Sequence, residues 1–300
     1  MFRNSVLKGV FLVGLGATSY GMLATFVKLA YQEQFTTAEV TIAQFTYGII
    51  GILIINAFQK LNSKQVIEKA SPKNIMQLMI AGTSLGMTSV FYYLCVRYIN
   101  VSIAIVLLMQ TVWMGVLLEM LLEKKLPSLQ KIVAVVIVLI GTVMATNILK
   151  NTINIDWRGI FWGLLAAASF TTTMFTANRI AIGISSAQRS LYMLLGGAVI
   201  VVAFAFFTKT TPFNFNIFLK WGIFLALFGT IIPPILLNLG FPITGIGLGS
   251  IVSALELPVS VMMAFFILNE NVIVSQWFGI VLIILAIVIM NVKIPFLKKN

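Results

Sequence analysis

Long apolar stretches recur along the whole chain and constrain its fold more than any other feature. Each is about 20 residues long, which is the length of an α-helix that spans the hydrocarbon core of a bilayer. Hydrophobic residues make up 60% of the 300 positions and charged residues 9%, whereas a soluble domain has about half apolar and about a quarter charged residues. The sequence therefore predicts an all-α membrane protein with little mass outside the bilayer.

Ten membrane crossings are predicted, with polar or charged loops between them. Numbered in chain order, they are Leu7–Ala30, Thr37–Phe58, Asn74–Tyr98, Val101–Leu122, Leu129–Leu149, Gly159–Ile182, Ala187–Phe207, Phe218–Gly240, Ile246–Leu268 and Ser275–Val292. The first stretch is not followed by a clear small-residue cleavage site. We therefore interpret it as crossing 1 and not as a signal peptide that is removed.

Basic residues are distributed unevenly between the two sides of this topology. Ten crossings put both termini on one side, and 14 of the 20 lysines and arginines fall on that side. Because loops rich in Lys and Arg stay inside, we expect a multi-pass protein of the cytoplasmic membrane with both termini cytoplasmic. Lys64 and Lys124 should then face the cytoplasm, and Asp156 the outside. The net charge of +12 reflects loop orientation, and we expect no nucleic-acid partner.

The two halves of the chain resemble each other. At an offset of 150 residues Lys8-Gly-Val-Phe matches Arg158-Gly-Ile-Phe, and at an offset of 147 Gly82-Thr83 matches Gly229-Thr230 and Leu121-x-Glu123 matches Leu268-x-Glu270. With five crossings in each half, the halves must be inverted relative to each other. We predict two repeats, residues 1–150 with crossings 1–5 and residues 151–300 with crossings 6–10. Inverted repeats are characteristic of secondary transporters, which bind solute where the repeats meet.

Crossing 9 carries a carboxylate near its middle. Glu256 lies among apolar residues, and Pro258 follows two positions later. A carboxyl group at bilayer depth is costly and must face the protein interior, water or a partner, and a proline frees a backbone carbonyl. Glu256 therefore either takes part in transport, where it could carry a coupling proton, or only ties crossing 9 to a neighbouring helix by hydrogen bonds.

Several short motifs occur in a fixed order along both halves. In the second half they are Gly229-Thr230, Pro233, Gly240, Ser250, Leu255-Glu256-Leu257-Pro258-Val259 and Leu268-x-Glu270, and in the first half Tyr20-Gly21, Lys28, Phe91-Tyr92-Tyr93, Arg97-Tyr98 and Leu122-Glu123. With these motifs, nearly the whole chain resembles the EamA-type transporters of the drug/metabolite transporter superfamily. It departs from the family pattern where Leu257 separates the Glu from the Pro, at Gln44, where many members carry Arg, and at Thr111, where a first-half proline is common.

The resemblance implies ten helices in two inverted five-helix repeats around a central cavity lined mainly by crossings 1, 3, 4, 6, 8 and 9. It also implies a secondary active transporter that moves a small organic solute by alternating access. The solute would be an amino acid or a related metabolite, and export is the expected direction. Substrates differ widely across the family, so the fold does not name the solute.

Candidate site residues are those with polar or aromatic side chains inside the predicted crossings. For substrate binding they are Tyr20, Lys28, Phe91, Gln110, Trp113, Phe170, Asn238 and Glu256, and for helix breaks and gating Pro233, Pro234 and Pro258. Each has a structural alternative. Lysine near a helix end often extends to the interface, amides join neighbouring helices, and aromatic residues pack or form interfacial belts.

Competing functions are a membrane channel or structural membrane component and, with less support, a membrane-embedded enzyme. The chain has no histidine, one aspartate and one cysteine, Asp156 and Cys95, so a Ser–His dyad or a pair of catalytic aspartates cannot be assembled. No glycine-rich phosphate loop that ends in Lys-Ser or Lys-Thr is present. We expect no enzymatic activity, no metal and no cofactor. The expected partners are a small-molecule substrate and the lipid bilayer; proton coupling and a homodimer stay open.

Overall fold

The computed structural model describes residues 2–62, 68, 70–99, 101–147, 156–208 and 212–291. Helices make up nearly all of this described chain, and it contains no strand. Lys64 and the predicted division between residues 150 and 151 lie outside the described residues.

The helices account for all ten predicted crossings. In chain order the α-helices of the described residues are α1 Phe2–Gln32, α2 Thr37–Asn62, α3 Pro72–Tyr98, α4 Val101–Leu108, α5 Thr111–Glu123, α6 Leu129–Ala145, α7 Trp157–Arg179, α8 Ser186–Thr208, α9 Ile223–Ala226, α10 Ile232–Thr244, α11 Ile246–Ser253, α12 Glu256–Ile267 and α13 Val274–Asn291, and the π-helical segments Phe218–Gly222 and Leu227–Ile231 flank α9. Within these residues nine continuous helical spans are long and apolar enough to cross a membrane, and α6 is a shorter apolar helix.

Three crossings consist of more than one helix. Crossing 4 is formed by α4 and α5, crossing 8 by the two π-helical segments with α9 and α10, and crossing 9 by α11 and α12. Three helix ends extend four or five residues beyond the prediction: α1 begins at Phe2 and not at Leu7, α2 ends at Asn62 and not at Phe58, and α10 ends at Thr244 and not at Gly240. Helix α6 is shorter than predicted and ends at Ala145. Hydropathy marks the apolar part of a helix, whereas the hydrogen-bonded helix continues beyond it. The predicted all-α membrane fold is confirmed.

The crossings alternate in direction, so the bundle has two ends. We call the end where crossing 1 begins the terminal face and the opposite end the distal face. At the terminal face Gly9 packs against Ile243 and Thr244, with no room for a Cβ atom. At the distal face Gln276 donates a hydrogen bond to the carbonyl of Ala145, at 2.9 Å.

Contacts between the halves follow the inverted repeat. Crossing 3 packs against crossings 6 and 7, and crossing 8 packs against crossings 1 and 2. Crossing 4 packs against crossing 9, and crossing 5 against crossing 10. Exchanging the two halves maps this set of contacts onto itself, which is the pattern expected of two inverted five-helix repeats.

The N-terminus of crossing 2 is capped by residues that also join the repeats. The backbone N–H of Thr36 donates to Glu39 Oε2 at 2.7 Å, and the N–H of Glu39 donates to Thr36 Oγ1 at 3.3 Å. This reciprocal pair is a capping box. The other oxygen of the buried Glu39 carboxylate accepts a hydrogen bond from the N–H of Asn214, at 2.6 Å. Crossing 2 is thereby attached to the loop after crossing 7.

Crossing 7 repeats this arrangement at the terminal face. The N–H of Gln188 donates to Ser185 Oγ at 3.2 Å, and Gln188 Oε1 accepts from the N–H of Ala70 at 3.1 Å. Its amide nitrogen donates to the carbonyl of Glu68 at 3.0 Å. Crossing 7 is thus attached to the loop after crossing 2, which is the symmetric counterpart of the contact between Glu39 and Asn214.

Crossing 9 is interrupted in the middle of the bundle. Helix α11 ends at Ser253 and α12 begins at Glu256. Pro258 has no N–H to donate to the carbonyl of Ala254, which instead accepts from the N–H of Leu257 at 3.2 Å. The interruption therefore lies directly before Glu256.

Crossing 4 is interrupted at the corresponding level although it has no proline. The N–H of Gln110 donates to the carbonyl of Leu107, three residues earlier, at 3.1 Å. The carbonyl of Val106 then lacks its usual helical donor, and Gln110 Nε2 donates to it at 2.9 Å. A side-chain amide thus satisfies the group that the interruption leaves free. Sequence reasoning missed this break because it looked for a proline at Thr111.

Crossing 8 is irregular around its two prolines. Pro233 and Pro234 are buried and lie in the first turn of α10, where the N–H group that proline lacks is not needed. The segment Leu227–Ile231 before them is π-helical. π-helical turns are rare in proteins, and those that occur are frequently found at functional sites. The sequence predicted a break here but not the π-helical turns.

Candidate functional site

A small void lies at the centre of the bundle, where the repeats meet. It has a volume of about 10 Å³, about the smallest space that holds a single water molecule. Its walls come from crossings 1, 3, 6, 7 and 8, and the residues that line it are Tyr20, Leu85, Phe170, Thr173, Met174, Ala177, Met193, Pro234, Leu237, Asn238 and Phe241. We call it the central void.

Three of the predicted substrate-binding residues meet at the central void. Tyr20 from crossing 1 and Phe170 from crossing 6 pack edge to face, with ring centroids 6.1 Å apart. Asn238 from crossing 8 lies on another wall. Crossings 1 and 6 are the first helices of their repeats, so the aromatic pair lies across the junction between the two halves.

Asn238 is a buried polar residue with one side-chain atom that has no partner in the described part of the chain. Its side chain is 3% exposed. Nδ2 donates to Ser190 Oγ at 3.0 Å, whereas Oδ1 has no hydrogen-bond partner within the described residues. A buried acceptor without a donor costs about 1–3 kcal/mol. Asn238 is also one of the residues that line the central void.

Two hydroxyl pairs join neighbouring helices in this part of the bundle, one of them through Thr173, which lines the void; sequence reasoning missed them. Ser84 Oγ and Thr173 Oγ1 are 2.8 Å apart, and so are Thr111 Oγ1 and Thr171 Oγ1. Both pairs are buried and join crossing 6 to crossings 3 and 4. Three consecutive threonines, at positions 171–173 of an otherwise apolar segment, were the signal that could have revealed them.

Glu256 lies beside this group at the break of crossing 9. Its side chain is partly buried, and within the described residues it has no hydrogen bond or ion pair. The phenol groups of Tyr20 and Tyr92 are within electrostatic range of its carboxyl group. Crossing 1 approaches closely here, because a Cβ atom at Gly21 would collide with the Glu256 carbonyl oxygen. Tyr20 therefore connects Glu256 with the central void.

A larger cavity opens near the distal face. Its volume is about 660 Å³, which is large enough for a small organic solute. Tyr31, Tyr93 and Arg97 line it, together with the start of crossing 2 and the end of crossing 7. Arg97 is exposed and has no ion-pair partner within the described residues. We call it the distal cavity.

Tyrosines lie between the distal cavity and Glu256. The rings of Tyr92 and Tyr93 are 6.2 Å apart, and the hydroxyl groups of Tyr31 and Tyr93 interact. Tyr92 is within electrostatic range of Glu256, whereas Tyr31 and Tyr93 line the cavity. The sequence pointed to Phe91 in this motif, but its tyrosine neighbours face the candidate site.

The remaining predicted substrate-binding residues line neither the central void nor the distal cavity. Lys28 is exposed and forms an ion pair with Glu270. Phe91 stacks on Trp162, with ring centroids 5.4 Å apart. These two side chains therefore have protein partners of their own.

Gln110 and Trp113 are likewise paired with each other. Trp113 Nε1 donates to Gln110 Oε1 at 2.8 Å, and Gln110 Nε2 is bonded to the carbonyl of Val106. Both polar groups of Gln110 are thus occupied. Its structural role at the break of crossing 4 is visible, whereas a contact with solute would require it to exchange these partners.

Arg189 is the most deeply buried charged side chain near the central group, at 2% exposed. Its guanidinium group donates to four carbonyl oxygens, those of Thr176, Ala177, Ile180 and Asn238, at 2.6–3.0 Å. The first three are at the C-terminus of α7, where a cation is favoured; the carbonyl of Thr176 also accepts from the N–H of Ile180, at 3.0 Å. Sequence reasoning counted Arg189 as a loop charge, and its position between two crossings was missed.

Comparisons with known proteins agree with this geometry. The profile of the EamA-like transporter family matches the chain twice, over residues 7–147 and 157–292. One solved structure, described only as "Crystal structure of protein", superposes with a TM-score of 0.73 and 14% sequence identity, over 92% of this chain and 97% of that chain. At this identity the likeness concerns the fold alone. No curated protein matches the sequence.

Proposed function

The chain belongs to the EamA-like transporter family, and from this premise we propose that it is a secondary active transporter of a small organic solute. It works by alternating access in the cytoplasmic membrane. The terminal face is cytoplasmic, and the solute is exported towards the distal face. The repeats are divided near residue 150, between crossings 5 and 6.

The observation that carries this proposal is Asn238, which lines the central void and whose Oδ1 has no hydrogen-bond partner within the described residues. Solute sites of inverted-repeat transporters lie at the midplane, where the repeats meet and helices are interrupted. Here the aromatic pair of Tyr20 and Phe170 and the interruption before Glu256 lie at that place. The void is too small for a solute, so this conformation is closed around its centre. Movement of the repeats would have to widen the void before solute binds.

The chemistry of the site favours a solute with an apolar body and an N–H donor. Tyr20 and Phe170 offer aromatic surface, Asn238 Oδ1 offers an acceptor, and Glu256 offers a carboxyl group nearby. An amino acid or a related amine fits this combination. Glu256 either pairs with the amino group or carries a proton that moves in the opposite direction.

The other predicted residues have indirect roles in the proposed transport. Gln110 and Pro258 hold the interruptions of crossings 4 and 9, and Pro233 and Pro234 hold the irregular part of crossing 8. These positions allow the helices to bend when the void opens. Phe91 and Trp113 contribute apolar surface, and Lys28 acts at the distal face.

The test is solute counterflow in proteoliposomes. Purified protein is first screened by thermal shift against amino acids and common metabolites, because a ligand of the native state raises the melting temperature. Solutes that bind are then tested for saturable counterflow, which a carrier shows and an open channel does not. Binding without flux, or flux that does not saturate, would contradict the proposal.

Asn238→Leu keeps the size of the side chain and removes its acceptor. We expect it to weaken binding and counterflow by about tenfold or more, the value of one lost hydrogen bond to a polar solute in a buried site. The matched control is Asn56→Leu, because within the described part of the chain the Asn56 side chain bonds only to the carbonyl of Ile52 in its own helix, at 2.9 Å. Equal counterflow in both variants would show that Asn238 is not a ligand.

A further inference from the structure

We propose that two ion pairs, one at each face, are the gates of the central site and separate alternately during transport. The distal pair is Lys28 with Glu270, and the terminal pair is Arg179 with Glu123, whose charged atoms are 3.9 Å apart. This inference rests on the proposed function, since a gate has meaning only in a carrier.

Each pair joins one repeat to the other. Lys28 lies near the end of crossing 1 and Glu270 follows the end of crossing 9. Arg179 ends crossing 6 and Glu123 ends crossing 4. In both pairs a cation near the end of the first helix of one repeat meets a carboxylate at the end of the fourth helix of the other. The pairs therefore occupy corresponding positions at opposite faces.

The two carboxylates are also carried by corresponding parts of the chain. Glu123 ends α5, the half of crossing 4 that begins after the interruption at Gln110. Glu270 follows α12, the half of crossing 9 that begins after the interruption before Glu256. Interrupted helices bend at the break, so each half-helix is able to move its carboxylate away from its cation while the other half stays packed.

Both ion pairs are weak enough to separate and form again in each transport cycle. All four side chains are between 42% and 50% exposed, and exposed ion pairs contribute little to stability. Such a pair is broken and remade at small cost during each cycle. The pair between Lys131 and Glu119 differs, because it is mostly buried and joins two crossings of the same repeat.

Both gates are closed in this conformation. Lys28 and Glu270 are in direct contact, and the charged atoms of Arg179 and Glu123 are 3.9 Å apart. Alternating access requires that at least one gate is closed at any time. The central void, which is too small for a solute, agrees with a conformation in which neither gate is open.

The experiment cross-links each gate in a Cys95→Ser background. A bifunctional methanethiosulfonate reagent joins Lys28→Cys to Glu270→Cys at the distal gate, and Glu123→Cys to Arg179→Cys at the terminal gate; the linker replaces the length of the two long side chains, which a direct disulfide is too short to span. We expect either cross-link to reduce counterflow by about tenfold or more, because the site must open to both faces in each cycle. A reducing agent should restore counterflow, and solute binding by thermal shift should persist. The matched control is each single-cysteine variant treated with the same reagent.

Charge variants test the same gates without a covalent bond. Lys28→Gln and Glu270→Gln should alter counterflow, and the exchange Lys28→Glu with Glu270→Lys should restore it towards the wild-type rate. Asp156→Asn with Arg158→Gln is the control, because this pair also lies at the distal face but joins residues of one repeat. Rescue by the exchange supports a pair that acts between the repeats.

A readout that does not need flux separates this proposal from the proposed function. Ala177 lines the central void and is 3% exposed, and its replacement leaves both gate pairs intact. In protein locked by the distal cross-link, Ala177→Cys should react severalfold faster with a maleimide added from the terminal side, because the terminal gate is then able to open. Unlocked protein without any counterflow would contradict the transport proposal alone. Locked protein with wild-type counterflow, or with unchanged reactivity at Ala177→Cys, would overturn the gates.

Discussion

Glu256 is a single carboxyl group beside the central void, and its two candidate roles predict different behaviour. We expect Glu256→Gln, which keeps the shape of the side chain, to fold and to retain counterflow but to lose accumulation driven by a pH gradient. The physical reason is that glutamine cannot release a proton. Counterflow and pH-driven uptake are measured in the same proteoliposomes. Wild-type accumulation at every pH gradient would rule out proton coupling through this residue.

Arg189 contributes to stability through carbonyl groups and not through an ion pair. In Arg189→Gln four carbonyl oxygens lose a charged donor. We expect a loss of about 3 kcal/mol in the free energy of unfolding, as for other buried charge networks that lose a partner. Arg179→Gln, at an exposed site of the same face, should cost less than about 1 kcal/mol. Equal melting temperatures of the two variants would contradict this view of Arg189.

For single residues, the sequence indicated which side chains are candidates for the site but not which groups they contact. Glu256, Asn238, Tyr20 and Phe170 were found because polar and aromatic residues stand out in apolar segments. Arg189 was missed, because a basic residue near a predicted helix end resembles a loop charge until the fold places it between two crossings.

The interruption of crossing 4 is an element whose cause is visible only in the structure. Gln110→Leu removes the donor to the Val106 carbonyl and leaves that carbonyl unsatisfied or returns it to a regular helix. We expect slower counterflow with little change in solute binding, because the variant affects bending and not the site. Binding is measured by thermal shift and flux by counterflow. The control is Asn56→Leu, which loses the same kind of bond, to the carbonyl four residues earlier in its own helix. Unchanged flux in Gln110→Leu would argue against a hinge at this place.

The cap of crossing 2 leads to a prediction about the stability of the fold. In Glu39→Ala the N–H groups of Thr36 and Asn214 lose their acceptor. We expect the melting temperature to fall by an amount equivalent to about 1–2 kcal/mol, the cost of a lost helix cap. Glu33→Ala is the control, since Glu33 is exposed and pairs only with Lys220. No difference between the two would show that the cap does not stabilise the fold.

Helix positions could be predicted from hydropathy because a bilayer requires about 20 apolar residues for each crossing. The breaks were harder. The interruption of crossing 9 could be predicted from its proline, because proline lacks the N–H of a regular helix. The interruption of crossing 4 depends on a side-chain hydrogen bond of Gln110, which a hydropathy profile does not show.

Orientation is a property of the whole molecule, and the distribution of basic residues predicts it. In a Cys95→Ser background we expect Lys124→Cys to react with an impermeant maleimide from the cytoplasmic side only, and Asp156→Cys from the outside only. The two residues lie at opposite faces, so each is the control of the other. Intact cells and permeabilised cells are compared. Reaction of Lys124→Cys in intact cells would reverse the assignment.

The inverted repeat was predicted from a few matches at nearly constant offsets, and the mirrored contacts between crossings agree with it. The matches could not indicate which contacts join the repeats, because Glu39 with Asn214 and Gln188 with Ala70 pair different residue types. Symmetry is kept here in the geometry of the contacts and has largely been lost from the sequence.

The corresponding ion pairs at the two faces have a thermodynamic consequence. If the contacts that close one face are built like those that close the other, the two end conformations differ little in free energy, and neither is strongly preferred. The fold then has no built-in direction. Net flux would be set by the solute gradient, and each proton that Glu256 passed across the membrane would add about 2.3 kcal/mol for each 100 mV of membrane potential. The direction of net transport would then be decided by the gradients that the cell maintains and not by the fold.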